Sequence, residues 1–156
     1  MGVAGDNEKY FHNIVVSKFG DSLFKGGYRY LKKTDEFGSV EVSVDERIVH
    51  PDGRELLIEI DSGNMAKLIV GQYVLLNCLR EEDTGKSMFL VVHYYKKYNA
   101  RRTINNLRAI ERLYPEKKWL PYNAICIEEM RKLIKETIAF EDLIEKLWDN
   151  QSVRET

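Results

Sequence analysis

Cysteine is scarce in this chain, and its two copies, Cys78 and Cys126, lie in apolar stretches with neither CxxC spacing nor a neighbouring histidine. That argues against a zinc site and leaves both as ordinary buried thiols, which suits a reducing cytoplasm. Long apolar runs are missing too: nothing approaches the roughly 20 residues a membrane helix needs. The opening Met-Gly-Val-Ala-Gly-Asp-Asn has no basic region followed by a hydrophobic one, so neither secretion nor a membrane partner is expected. Gly2 invites myristoylation, but Asp6 stands where that motif needs Ser or Thr. An excess of charge is likewise absent, with 24 Lys and Arg against 25 Asp and Glu, so a nucleic-acid site would have to be a local patch. There is no repeat, no low-complexity segment, no glycine-rich phosphate loop ending in Lys-Ser or Lys-Thr, no GxGxxG after a strand, and no Ser-His-Asp or Cys-His constellation. Nucleotide-hydrolysing and dinucleotide-dependent enzymes are therefore disfavoured.

What is present suffices for one core: 156 residues, 44% of them apolar and 11% aromatic. Residues 1–8 read as a polar tail, 9–150 as a single domain, and 151–156 as a second polar tail. Phe11, Ile14, Val15, Lys18 and Phe19 fall at helical spacing, and Gly20 ends that helix. After Gly26-Gly27, Tyr28-Arg29-Tyr30-Leu31 suits a short strand. Val40, Val42 and Val44 alternate with Glu41, Ser43 and Asp45, the pattern of a half-buried strand. Leu56, Ile58 and Ile60 share one face of a further strand; Leu57, Glu59 and Asp61 share the other. His50-Pro51-Asp52-Gly53 between them is a hairpin turn, with Pro presetting φ and Gly taking the left-handed position.

Met65, Leu68, Ile69, Tyr73 and Leu76 mark a helix over 65–78, with Tyr73 in the core, and 81–86 is a solvated loop. Residues 88–95 read as a strand buried on both faces and hence central in the sheet. Ile104, Leu107, Ile110 and Leu113 stripe a helix stopped by Pro115, 122–127 is another strand, and two amphipathic helices close the chain. The order gives an α/β (α+β) fold: a mixed sheet flanked by helices.

Alternating carboxylates on a strand are costly on a buried face unless cations, metal ions or water satisfy them. Glu59 and Asp61 therefore stand out, either as an exposed sheet face or as ligands for a hard divalent cation such as Mg²⁺. A bound metal would lower the pKa of its water and neutralise charge in phosphodiester cleavage.

Ile48-Val49-His50-Pro51-Asp52, then Leu57-Ile58-Glu59-Ile60-Asp61-Ser62-Gly63-Asn64, then Lys67 and Tyr73 resemble the nuclease-like core of replication-relaxation proteins of plasmids and mobile elements, across roughly residues 38–115. Those proteins are similar in fold to the PD-(D/E)xK nucleases, which implies a restriction-endonuclease-like core. The resemblance implies Asp52 and Glu59 as ligands of Mg²⁺ or Mn²⁺, Asp61 as a third acid, and Lys67 as the amine that orients the attacking water. Two features depart from the pattern. The parent superfamily usually has lysine two residues after the second acid, where this chain has Asp61. A tight turn at residues 51–54 would also put Asp52 at its tip, far from Glu59 on strands rising about 3.3 Å per residue, whereas a wider loop around residues 53–58 would bring Asp52 back at the cost of a shorter second strand. With His50 pairing Glu55, Glu46 would lie opposite Glu59, so the alternative site is Glu46, Glu59 and Asp61.

Lys96, Lys97, Arg101 and Arg102, interleaved with Tyr94, Tyr95 and Tyr98, fall between the buried strand and the next helix, where amides and the macrodipole also favour phosphate. Two functions follow from these residues. One is metal-dependent phosphodiester hydrolysis; the other is a non-catalytic module on the same scaffold that binds DNA or a replication or transfer protein. A homodimer through the apolar stripe of the last helix is a third arrangement, with packing of that helix on its own sheet the simpler outcome.

Overall fold

A computed structural model describes residues 4–26, 28–34, 36, 38–80 and 85–149, with the side chains of residues 4 and 28–34 left out. The expected tail at 151–156 and the loop residues 81–84 lie outside the described residues. Helix α1 (Ala4–Phe19) leads into β1 (Tyr28–Thr34), β2 (Gly38–Val44), β3 (Glu46–Val49) and β4 (Glu55–Asp61). Then come α2 (Ala66–Leu79), β5 (Ser87–His93), α3 (Arg101–Leu113), β6 (Tyr122–Cys126), α4 (Ile127–Glu136) and α5 (Phe140–Asp149). Residues 4–8, within the stretch expected to be a polar tail, belong to α1, and residues 1–3 lie outside the described residues.

The main sheet has the order β3-β4-β5-β6 and is mixed: β3 runs antiparallel to β4, while β4, β5 and β6 are parallel. β1 and β2 form a separate antiparallel hairpin. Every residue of β5 is buried, as its unbroken apolar run requires of a central parallel strand. The period-two pattern of β4 sorts its side chains between two cores. Leu56, Ile58 and Ile60 join Phe11 and Val15 of α1, Met130 of α4 and Leu143 and Ile144 of α5. Leu57 joins Tyr73 and Leu76 of α2, Leu107 of α3, and Val42 and Val44 of β2. The stripe of α5 is thus used inside its own domain.

Two expectations need correction. Cys78 is exposed and Cys126 half-buried, so neither is the buried thiol expected from its apolar neighbourhood. Cys78 shares the outward side of α2 with Leu68 and Leu75, both of which are also exposed. Met65 and Leu68, two of the residues whose spacing marks this helix, are 48% and 62% exposed, because α2 turns the face carrying Ile69, Tyr73 and Leu76 toward the sheet.

Candidate functional site

The turn between β3 and β4 sets where the acids go. His50 N–H bonds the Arg54 carbonyl at 2.8 Å and Gly53 N–H bonds that of His50 at 2.9 Å, with Gly53 at φ +90°. The loop thereby runs from His50 to Arg54, and the first strand pair is Val49 with Glu55 rather than His50 with Glu55. This one-residue shift places Glu46 opposite Ile58 and turns it toward α1, where its carboxylate meets His12 Nδ1 at 3.4 Å. The expected Glu46 to Glu59 opposition is therefore not formed.

Asp52 sits at the exposed turn tip, as turn chemistry predicts. Its carboxylate accepts the Arg54 backbone N–H at 2.9 Å and Arg54 Nε–H at 2.7 Å, and lies 2.9 Å from His50 Nδ1. The Arg54 amide, with help from His50 and the Arg54 guanidinium, holds its carboxyl well below the usual range. His50 also reaches Glu141 of α5 at 3.0 Å, so this group ties the hairpin to α5.

Glu59 has other companions. Its carboxylate accepts Gln72 Nε2–H at 2.7 Å, and Gln72 also donates to the Ser43 carbonyl at 2.7 Å. Asp45, at the kink between β2 and β3, donates its backbone N–H to Glu59 and accepts the Ile60 N–H at 2.8 Å. Burial and the Asp45 charge push the Glu59 carboxyl up to about 8, and Glu8 of α1 adds to the rise. Asp45 is raised by burial, and Glu8 by burial and by the charges of Asp45 and Glu46. Four carboxyl groups from α1, the β2 to β3 kink, β3 and β4 thus feel one another. Among the described residues, no three His, Cys, Asp or Glu side chains are placed to hold one metal ion.

Asp61 is buried and its oxygens are taken. Oδ1 accepts the Gly63 and Met65 N–H groups at 3.2 and 3.1 Å, and Oδ2 lies 2.8 Å from His93 Nδ1. Burial opposes its charge, but His93 and those two amides outweigh burial and keep the carboxyl below its ordinary value. His93 Nε2 continues to Thr103 Oγ1 at 2.9 Å, and that hydroxyl to Tyr98 at 3.0 Å. Lys67 is exposed in the first turn of α2; the residue that α2 delivers to Glu59 is Gln72.

Lys96, Lys97, Arg101 and Arg102 are all exposed at the β5 to α3 corner, beside Tyr95 at 51% exposure. Asn99 Oδ1 accepts the Arg101 N–H at 3.0 Å, and Lys97 takes φ +62°. The structure brings these four cations into one corner, but it does not bring Asp52 or Lys67 to Glu59.

Sequence reasoning left out Glu8, Asp45 and Gln72 from the acidic group. A signal for Asp45 existed: two adjacent acids, Asp45-Glu46, interrupt the alternation where β2 hands over to β3. Glu8 had none, because it was read as part of a tail. Compared with known families, curated proteins and solved structures, the chain matches none. Among the described residues no helix is long and apolar enough to cross a membrane.

Proposed function

We propose that this chain is a DNA-associated module on a restriction-endonuclease-like scaffold, a cytoplasmic replication or transfer accessory of a plasmid, phage or other mobile element. It holds phosphate at the β5 to α3 corner. The observation that carries this reading is the joint exposure of Lys96, Lys97, Arg101 and Arg102 around the start of α3, with Tyr95 beside them. Cations at a helix N-terminus face backbone phosphate through charge and amide donors, and an exposed aromatic offers a stacking surface for an unpaired base. A net charge of −1 gives no general attraction to a polyanion, so affinity has to come from this patch.

The test is fluorescence anisotropy of labelled single- and double-stranded DNA against a salt series, in chelator. Binding is expected to weaken linearly in log salt, and each of Lys96→Ala and Arg102→Ala is expected to lower the slope by about 1. No binding at the lowest salt removes the proposal and leaves a protein partner, a second copy included, as the better reading.

Metal-dependent phosphodiester hydrolysis is the second reading. One observation favours it: Glu59, with Asp45 and Glu8 near, is a desolvated acidic corner of the kind a cation would relieve. DNA cleavage in Mn²⁺ that Glu59→Gln abolishes would establish it, whereas cleavage that survives the substitution eliminates it.

A further inference from the structure

We propose that Asp61, His93, Thr103 and Tyr98 form a buried hydrogen-bonded brace that holds the cationic β5 to α3 loop in the shape that receives phosphate, making them positioning residues for that surface. This rests on the DNA-associated reading above. His93 closes β5, Tyr98 lies in mid-loop and Thr103 is in the first turn of α3, so the brace grips the loop before, within and after its cations. At its far end Asp61 is fixed by the Gly63 and Met65 amides just ahead of α2. The loop backbone is tied to the same places: Tyr94 N–H bonds the Asp61 carbonyl at 2.8 Å, and Cys126 Sγ lies 3.1 Å from the Tyr98 carbonyl.

The hydrogen bonds can run consistently along the whole chain from Tyr98 to Asp61. With the proton on Nδ1, His93 donates to Asp61 and accepts at Nε2 from the Thr103 hydroxyl, which accepts in turn from Tyr98. Every member then has a partner, although His93 and Thr103 are wholly buried. A polar chain closed in this way fixes one geometry, because breaking any link leaves a buried group unsatisfied. The tilted stack of the His93 and Tyr98 rings, 4.2 Å between centroids, adds to it. Lys97 shows what is being held: its φ of +62° is disfavoured for a side chain with Cβ and persists only where neighbours impose it. Cations ordered beforehand lose less entropy on meeting a phosphate backbone.

Thr103→Val removes the central hydroxyl at nearly constant shape. It is expected to speed amide hydrogen exchange in residues 95–102 and to weaken DNA affinity about tenfold, the cost of ordering one or two freed side chains. Thr103→Ser restores the hydroxyl and is expected to return both readouts to wild type, which plain loss of packing would not do. Should Thr103→Val fail to fold, Tyr98→Phe removes only the terminal hydroxyl and is read by the same two measurements. Wild-type exchange and affinity in the substituted protein overturn the brace, as does weakened binding with unchanged loop exchange. If the wild-type protein binds no DNA, the parent reading fails by itself, and the brace as a structural device is then judged by exchange alone.

Discussion

Glu59 keeps its proton to about pH 8, whereas in an unfolded chain it would lose it near 4.5. Between those values the unfolded state releases a proton that the folded state retains, so this residue costs stability progressively as pH rises through that window. Glu59→Gln keeps the shape and the acceptor for Gln72. It is expected to leave stability at pH 5 nearly unchanged and to raise it by about 1–3 kcal/mol at pH 8.5, a discounted share of the full shift, measured by urea unfolding at both pH values. His50 behaves differently. Burial works against its charge, but the hydrogen bonds to Asp52 and Glu141 carry its pKa above 6.5. Its contribution is complete below pH 6.5 and disappears as pH climbs through the raised value. Glu141→Gln should flatten that limb of a melting temperature against pH curve; an unaltered curve would deny the linkage. At this scale the sequence was legible where local chemistry decides. Asp52 is the turn residue that Pro-Asp-Gly foretells and Tyr73 is core, but Glu8 and Gln72, companions of Glu59, are distant in the chain and left no local mark, and Asp45 showed only as a break in the alternation.

Among the elements, β4 is anchored at its start by a charge network that the pattern of apolar residues gives no hint of. Glu55, 8% exposed, receives Arg47 Nε–H at 2.8 Å, Arg80 Nη1–H at 2.9 Å and the Ser87 hydroxyl at 2.6 Å, joining β3, the end of α2 and β5. Burying such a group is offset only while its partners stay, so Glu55→Ala is expected to cost about 3–5 kcal/mol by leaving guanidinium charge in a dry place. Chemical denaturation checks this, and a loss below about 1 kcal/mol would mean that water reaches the site. Element type was readable over most of the chain, because periods of two and 3.6 are written along it, but β3 was not told apart from β2, which pairs with β1 rather than with β4. Register was not readable. One extra residue in the His50 to Arg54 loop moved Glu46 off Glu59, and loop geometry of that kind is set by backbone hydrogen bonds rather than by composition.

For the molecule as a whole, near neutrality conceals segregation: carboxyls gather where α1, the β2 to β3 kink and β4 meet, and cations gather after β5. The cations could be seen in the sequence as a run of near neighbours, while the acids are assembled by the fold. Exchanging all four of Lys96, Lys97, Arg101 and Arg102 for glutamine should abolish the salt-dependent part of DNA binding with little change in unfolding midpoint, since all four are exposed. The border of the sheet is guarded as well. Lys25 N–H bonds the Arg47 carbonyl and Val49 N–H bonds that of Leu23, with Phe24 bridging Ile48, so a short piece of chain after α1 shields the outer rim of β3. Proteolytic nicking or mutation that frees this piece would bare an adhesive row of amides and carbonyls, and molecules so altered would be prone to stick rim to rim and precipitate.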